Sequence, residues 1–453
     1  MGVIISLGYF RPRSPCWQYL IRKAIHFFTG IAIFFLTYRL SRETLLLLFV
    51  AGTIFSWITY FIRRFNYIHV TSATSLGTLF YPLGILSSFL VLYDQSLSFF
   101  RVALLFLAVS DTMANVGGYL IRGNYRFAIF TEEKSLAGIL GFAVTAFLIL
   151  HFLLPEAFAA GIPYMLVIVA AGIHFEIFSY RGSDNLTVPL GTALILLVTT
   201  GRDLPYLSIL GTMAVLAPAV YLLLRYHILS SYGAVTAYLL GVFLFIFLGP
   251  GWGITVIFFF VTSVLLTMLN SRVNRKTSGA GNRNSWQVLA NIAAALLASV
   301  LFLVTRNELF IQLFIVGVAA VTADTWASET GPVFHRSCFS LATLSRERSG
   351  VSGGISAAGI LGALSGALSV SAIGAVLLLQ EFNLRMVLLM ALSGFAASFV
   401  DSLLGARLEP RLENLHYFKR EKSGERITPN DVINTLASLS GLLIYLVFRA
   451  GWH

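Results

Sequence analysis

Two acidic segments close long apolar runs, where an ionisable side chain is costly and usually marks a site. The segment VTADTWASETGP spans 321–332 and contains Asp324 and Glu329. A similar segment, AVSDTMANVGGY, spans 108–119 and contains Asp111. Clustered carboxylates are hard oxygen ligands, which suit Mg²⁺ holding the phosphates of a nucleotide. The sequence therefore indicates that one kind of polar site was built twice.

The second half adds further polar groups downstream of its acidic segment. Asp401 and Asp431 follow at later helix termini, and we expect them to converge with the earlier two carboxylates. The segment GVSGGIS contains Ser352, Gly353 and Gly354 and offers backbone N–H groups to a phosphate at a helix start. Further phosphate charge could be balanced by three arginines, Arg283, Arg346 and Arg348. The alternative is that the Asp and Asn side chains only cap helices at the membrane interface.

The first half carries the same kinds of group in the same order. Asp111 and Asn115 are four residues apart and therefore share one helical face, as do Asp324 and Ser328. The other candidates of this half are Lys134, Ser135, Gly138, Glu176, Asp184 and Asn185.

A basic cluster near the N-terminus contains Arg22, Lys23 and His26. These side chains could contact phosphate, and His26 could act as a base. The alternative is an anchor that fixes the orientation of the first helix through the positive charge of its cytosolic end.

Composition identifies the setting of these groups. Of the 453 residues, 57% are hydrophobic and 11% are charged, and the mean hydropathy is +0.83. A soluble protein could not bury so much apolar surface, whereas a bilayer accepts helices of about 20 apolar residues. The alternating segments of about 10 residues that a membrane barrel needs are absent. The sequence predicts an all-α, polytopic membrane protein, and its 2 cysteines exclude a disulfide framework.

Apolar runs predict about 15 transmembrane helices. Their approximate bounds are 24–38, 44–62, 75–93, 99–120, 135–154, 162–179, 186–200, 205–224, 231–248, 252–270, 286–304, 309–328, 353–378, 386–404 and 431–448. With a cytosolic N-terminus, the inner loops collect most of the 31 lysines and arginines. This predicts an external C-terminus and active sites on the cytosolic side. We expect a multi-pass protein without a cleavable signal, in the cell membrane if the source is prokaryotic.

The order of polar elements indicates a duplication. An acidic helix end, a small-residue helix start, a second acidic helix end and an Asn/Asp-containing helix start occur in each half. A unit of seven spans ends outside, so one further crossing must return the chain to the inner side. We therefore predict two parallel seven-helix units, 1–204 and 227–453, joined by a connecting helix at 205–226.

These motifs resemble two families of lipid kinases. Residues 17–200 resemble the CTP-dependent polyprenol kinases, which include dolichol kinase and phytol kinase, in RKAIH, SDTMANVGG, EEKSLAG and EIFSYRGSDNLTVP. Residues 227–450 resemble the transmembrane family of plant phytyl-phosphate kinase in RNSWQVLAN, ADTWASETGP, SGGIS, DSLLGA and NDVIN. The second half departs from that pattern at Val351, where a small hydroxyl residue is expected, and in a loop before Asn430 that lacks cysteines.

The resemblance implies two consecutive reactions on an isoprenoid of the phytol, geranylgeraniol or farnesol type. The first half would make the prenyl monophosphate from CTP, and the second half would convert it to the diphosphate, with Mg²⁺ in both. The catalytic and metal-binding residues would be Asp111, Glu176, Asp184, Asp324, Glu329, Asp401 and Asp431. The residues binding nucleotide or phosphate would be Arg22, Lys23, His26, Asn115, Lys134, Ser135, Gly138, Asn185, Arg283, Asn291, Ser328, Arg346, Arg348, Ser352, Gly353, Gly354, Asn430 and Asn434.

Three alternatives remain open at the level of sequence. An enzyme resembling phosphatidate cytidylyltransferase would make a CDP-lipid and release pyrophosphate. A lipid transporter or flippase could also use parallel repeats, although its site would lie near the bilayer midplane rather than at inner helix ends. One half could instead be an inactive scaffold. We expect no nucleic-acid partner, and a homo-oligomer is compatible with the sequence.

Overall fold

A computed structural model describes residues 15–61, 77–121, 126–129, 132–155, 161–201, 206–274, 282–334, 337–340, 345–348, 353–415 and 426–451. Helices dominate these residues, and the strands are short. The chain divides into two compact units, Met1–Ala217 and Pro218–His453. The predicted class, a helical polytopic membrane protein, is confirmed.

The first unit is a helix bundle with one small hairpin. Its elements are α1 Pro15–Leu36, α2 Arg42–Phe61, α3 Gly77–Val91, α4 Leu97–Leu105, α5 Asp111–Leu120, β1 Arg126–Ile129, β2 Glu132–Ser135, α6 Leu136–Leu153, α7 Ile162–Ile177 and α8 Asp184–Gly201. The π-helical segment Phe106–Ser110 joins α4 to α5. Such segments occur frequently at functional sites, and this one ends immediately before Asp111. Helix α9, Tyr206–Arg225, contains the boundary between the units.

The second unit has a similar order of elements. They are α10 Ser231–Val242, α11 Pro250–Asn274, α12 Ser285–Thr305, α13 Leu309–Phe334, β3 Ser337–Ser340, β4 Arg346–Arg348, β5 Gly354–Ile355, α14 Ala357–Gly374, α15 Leu384–Glu413 and α16 Pro429–Ala450. Strand β3 pairs antiparallel with both β4 and β5. Two π-helical segments, Phe243–Leu248 and Ala375–Leu379, follow α10 and α14.

Every predicted span coincides with an apolar helix. Within the described residues, 11 helices are long and apolar enough to cross a membrane. The other predicted spans correspond to four shorter apolar helical segments: Lys23–Leu36, Gly77–Val91, Ile162–Ile177 and Asp184–Thr199. Helices α13 and α15 extend several residues beyond their predicted ends, because hydropathy marks the apolar core of a span rather than the last helical residue. The number of crossings, the orientation and the duplication remain predictions.

A tight crossing of two helices follows the acidic segment of the first unit. A Cβ atom on Gly138 of α6 would lie 2.7 Å from the carbonyl oxygen of Ala114 on α5. One on Gly141 would lie 2.8 Å from the carbonyl oxygen of Met113. The hydroxyl of Ser135 accepts a hydrogen bond from Gly138 N (3.1 Å) and caps the start of α6. The glycines therefore allow the backbone of α6 to contact the helix that begins with Asp111.

The second unit repeats this crossing between α13 and α14. A Cβ atom on Gly359 would lie 3.2 Å from Ala327 O, and one on Gly362 would lie 2.9 Å from Trp326 O. Ser356 caps α14 by accepting from Gly359 N at 3.1 Å. The two capping segments read SLAGILG and SAAGILG, and the acidic helices carry DTMA and DTWA. Each unit thus places an Asp-Thr-x-Ala helix against a Ser-x-Ala-Gly-Ile-Leu-Gly helix.

We expect Gly138→Ala to destabilise the protein, because the added methyl group collides with the backbone of α5. Overpacking of this kind costs about 1–3 kcal/mol. The control is Gly52→Ala on α2, where a Cβ atom meets nothing within 4 Å, and where alanine favours the helix by about 0.5–1 kcal/mol. In thermal unfolding in detergent, the midpoint of Gly138→Ala should be lower than that of the wild type. The midpoint of Gly52→Ala should not be lower than that of the wild type. Equal midpoints for the two variants would contradict this packing.

Candidate functional site

Three carboxylates from three helices meet in the first unit. Asp111 begins α5, Glu176 lies in the last turn of α7, and Asp184 begins α8. One carboxylate oxygen of each residue lies within 4.8 Å of the others. Asp111 is fully buried and Glu176 is 6% exposed. Across the part of the chain that the structure describes, this is the one set of three acidic, histidine or cysteine side chains with such spacing.

Two lysines bind these carboxylates directly. Lys23 Nζ donates to Asp111 Oδ2 at 2.8 Å. Lys134 Nζ donates to Glu176 Oε1 (2.8 Å), to the carbonyl oxygen of Glu176 (2.8 Å) and to Ser179 Oγ (3.0 Å). Asp111 also accepts from Asn115 Nδ2 at its Oδ1, 2.9 Å away. With every group ionised, three carboxylates face two ammonium groups, so the cluster keeps an excess negative charge.

Two buried oxygen atoms, one in this cluster and one in the residue after Asp184, could serve as further ligands. Glu176 Oε2 and Asn185 Oδ1 are buried and accept no hydrogen bond from the residues that the structure describes. The amide nitrogen of Asn185 donates to Gly77 O at 2.9 Å, which leaves its oxygen as the unused atom. A buried acceptor without a partner costs about 1–3 kcal/mol. Carboxylate and amide oxygens are ligands that Mg²⁺ prefers, so the donor set fits this ion.

Local structure explains why these residues meet. Arg181 (φ 46°) and Gly182 (φ 88°) adopt left-handed backbone conformations in the turn between α7 and α8. The hydroxyl of Ser183 accepts from Tyr180 N at 2.8 Å and closes the turn. The chain therefore reverses within a few residues, and Asp184 returns to the side of Glu176.

His26 follows Lys23 by three residues on α1 and packs on Tyr81. The two rings are edge-to-face with centroids 4.2 Å apart, and the Tyr81 hydroxyl donates to the carbonyl oxygen of His26 at 2.9 Å. The His26 side chain is buried. The side chain of Arg22, which is predicted to bind phosphate with His26, lies outside the described residues.

The second unit pairs two of its four predicted carboxylates. The carboxyl groups of Asp324 of α13 and Asp401 of α15 lie close enough to interact with each other and border one small cavity. In the amide orientation that satisfies its neighbours, Asn434 Nδ2 of α16 donates to Asp401 Oδ2 at 3.1 Å. The Asn434 amide also lies 3.2 Å from Oδ1 of Asn291 on α12. A cavity of about 10 Å³ borders Asp324, Asp401 and Asn434, which is the size of one water molecule or ion.

The other two carboxylates of this unit have neutral partners. Glu329 Oε1 accepts from Thr267 Oγ1 (2.6 Å), and its Oε2 accepts from Asn270 Nδ2 (2.8 Å). Asp431 Oδ2 accepts from the backbone N–H (2.6 Å) and the hydroxyl (2.8 Å) of Thr428, in a capping box at the start of α16. The second oxygen of Asp431 is buried and accepts no hydrogen bond from the described residues. The helix-capping alternative thus describes the Asp431 contacts, whereas Asp324 and Asp401 face each other.

Sequence reasoning selects Glu329 but misses its two hydrogen-bonding partners, Thr267 and Asn270. They are three residues apart on α11 and therefore share one helical face. That spacing of two polar side chains within an apolar helix is a signal that could have identified them. Which acidic residue they would contact depends on the rotation of α11 against α13, which the sequence does not give.

Arg283 lies beside this Glu329 cluster. The pKa of the Arg283 guanidinium is lowered, because burial outweighs the opposite effect of its attraction to the Glu329 carboxylate. The guanidinium carbon lies 5.4 Å from the centre of the Phe260 ring. The backbone of Arg283 pairs with Ile228 and Ser230 at 3.0 Å each, which fixes the residue ahead of α12. The guanidinium is thus held near the acidic helix α13.

The remaining predicted phosphate contacts of the second unit lie at helix and strand ends. Ser328, Arg346 and Asn430 are exposed. Gly353 has a φ of 75° and lies against the carbonyl oxygen of Ser402 on α15, so a side chain would not fit there. Gly354 begins β5. Ser352 and the side chain of Arg348 lie outside the described residues.

The fold and these sites define a class: multi-pass membrane proteins whose helix bundles carry groups of neighbouring carboxylates. The chain belongs to the integral membrane protein DUF92 family, whose profile matches residues 214–442.

Three curated relatives show the range of similarity. The chain is 34% identical to a phytol kinase of Synechocystis over 125 residues, which are 27% of this chain and 53% of that enzyme. It is 27% identical to an uncharacterized membrane protein of Methanocaldococcus jannaschii over 220 residues, 48% of this chain and 86% of that protein. It is 28% identical to protein PGR of Arabidopsis thaliana over 194 residues, 36% of this chain and 65% of that protein. The alignment thus covers about half of the phytol kinase. No solved structure matches the chain significantly.

Proposed function

We propose that this protein phosphorylates a prenyl alcohol twice. The first unit transfers a phosphoryl group from CTP to the alcohol, and the second unit phosphorylates the resulting monophosphate. The observation that carries the proposal is the set of Asp111, Glu176 and Asp184, the first two of which are buried, with its two lysines. Similarity to a phytol kinase supports a prenyl alcohol as the acceptor.

In the first unit, Asp111 and Glu176 would hold Mg²⁺, with Asp184 completing the set. The ion would supply charge neutralisation for the nucleotide phosphates. Lys23 and Lys134 are the cations of the cluster that can contact phosphate oxygens. Phosphoryl transfer needs mainly alignment and charge stabilisation, so these groups suffice without a covalent intermediate on the protein.

The proton of the alcohol needs an acceptor when the new bond forms. The alcohol oxygen bonds to the γ-phosphorus, the bond from that phosphorus to the β–γ bridging oxygen breaks, and CDP leaves with the electron pair. Asp184 is the most exposed of the three carboxylates, because Asp111 and Glu176 are buried. It is therefore the group that can accept the proton and pass it to water.

The second unit has the groups that a phosphate acceptor needs. Two carboxylates in contact repel each other unless a proton or a cation lies between them, so Asp324 and Asp401 are suited to bind a divalent cation. A prenyl monophosphate is already an anion and needs little deprotonation, but it needs positive charge nearby. Arg283 is the partly buried cation beside α13. The repeated helix crossing supports a similar reaction in both units.

The nucleotide product tests the reaction type. Purified protein with CTP, Mg²⁺ and geranylgeraniol should release CDP and no pyrophosphate, because the γ-phosphoryl group is the one transferred. The measurement is anion-exchange chromatography of the nucleotides with an enzymatic assay for pyrophosphate. A matched reaction with EDTA should give neither product. Release of pyrophosphate with formation of a CDP-lipid would identify a cytidylyltransferase, and an unchanged nucleotide would favour a transporter.

A further inference from the structure

We propose that Lys23 and Lys134 are exchangeable counter-ions of the first site. They bind the carboxylates while no metal is present, and they move to the phosphate oxygens when a metal–nucleotide complex enters. Metal binding and nucleotide binding are then coupled through these two side chains. The inference rests on the proposed function, because it assumes that the three carboxylates bind a divalent cation together with a nucleotide.

The contacts of the two lysines show why they would compete with a metal ion. Each ammonium group lies 2.8 Å from a carboxylate oxygen of a residue in the candidate metal set. Lys134 occupies Oε1 of Glu176, while Oε2 of the same carboxylate accepts no hydrogen bond from the described residues. A metal at Asp111 and Glu176 would therefore compete with the ammonium groups for the same two carboxylates.

Charge gives the direction of the exchange. The three carboxylates are opposed by two ammonium groups in a buried site, where unscreened charges interact strongly. A divalent cation would turn the cluster from a net negative to a net positive charge and would repel both ammonium groups. Nucleotide phosphates supply the negative charge that these groups then need. Lys23 lies on α1 and Lys134 on β2, so neither belongs to the three helices that carry the carboxylates.

The second unit offers a contrast within the same chain. In the repeated motif, Lys134 precedes the capping Ser135, whereas Ile355 precedes the capping Ser356. Across the described part of the second unit, no lysine or arginine forms an ion pair with Asp324 or Asp401. Among the described residues the second site therefore has no such counter-ion, and we expect its metal affinity not to depend on a lysine that has to leave.

The test measures metal affinity directly. Mn²⁺ is titrated by electron paramagnetic resonance into the full-length protein carrying Asp401→Asn, which weakens the second site. This Asp401→Asn protein, with both lysines intact, is the parent. It is compared with the same protein carrying Lys134→Met, each with and without a non-hydrolysable CTP analogue. We expect Lys134→Met to bind Mn²⁺ about tenfold more tightly without nucleotide, because one competing charge is gone. The analogue should raise Mn²⁺ affinity in the parent and much less in Lys134→Met.

Two variants control for charge and folding. Arg39→Met removes one exposed positive charge three residues after the end of α1 and should leave Mn²⁺ binding unchanged. Lys134→Arg keeps the charge and should bind Mn²⁺ as weakly as the parent in the absence of nucleotide. Equal or weaker Mn²⁺ binding by Lys134→Met would overturn the exchange, since the lysine would then support the metal site. No Mn²⁺ binding by the parent, with or without the analogue, would instead refute the proposed metal site itself.

Discussion

Replacing Asp111 with Asn should reduce phosphorylation of a prenyl alcohol by about 10³-fold or more, as expected when a charged group that organises a phosphoryl-transfer site is removed. Asn has nearly the shape of Asp, so the substitution removes charge while it disturbs packing little. Asp111 is fully buried and accepts from both Lys23 and Asn115. Its loss leaves a buried ammonium group without its carboxylate and removes one candidate metal ligand. The measurement is the initial rate of prenyl monophosphate formation.

The control for this variant is Asp94→Asn, which makes the same chemical change at an exposed position. It should keep the wild-type rate. When prenyl monophosphate is supplied directly, Asp111→Asn should still form the diphosphate, which shows that the protein is folded and that only the first site is lost. An Asp111→Asn variant that retains most of its alcohol kinase activity would refute the assignment of this site.

Replacing Asp324 with Asn should cause the monophosphate to accumulate while its formation continues. An amide at this position can donate a hydrogen bond to Asp401, so the contact between α13 and α15 is kept. The pair then carries one negative charge fewer and binds a divalent cation less well. We expect the conversion of monophosphate to diphosphate to fall by about 10²-fold or more.

Mass spectrometry of the lipid products separates the two steps in this variant. Prenyl monophosphate should form at the wild-type rate, and the diphosphate should be nearly absent. The Asp94→Asn protein again serves as the comparison. Loss of both products together would mean that Asp324 supports the fold or a shared site, and unchanged diphosphate formation would mean that the second unit does not use this residue.

Much of the fold follows from hydropathy, because apolar runs of span length require helices whose backbone groups are satisfied internally. The sequence also repeats one small-residue segment in its two halves, since SLAGILG and SAAGILG differ at one position. The sequence does not show that the glycines of these segments contact the helix of Asp111 in one unit and the helix of Asp324 in the other.

The candidate site is less predictable than the fold. Sequence reasoning selects Asp324, Glu329, Asp401 and Asp431 as one group, because each lies near the end of an apolar run. The structure joins Asp324 to Asp401 and gives Glu329 the side chains of Thr267 and Asn270. This division depends on how each helix is rotated in the bundle. Two residues five positions apart, such as Asp324 and Glu329, point in different directions on the same helix.

The most direct test of the central claim is a time course of lipid products from one reaction. Purified wild-type protein is incubated with CTP, Mg²⁺ and geranylgeraniol, and the lipids are quantified by mass spectrometry. The account predicts that prenyl monophosphate rises first and then declines while prenyl diphosphate appears after a lag. Formation of a CDP-lipid, or of no phosphorylated lipid at all, would contradict it.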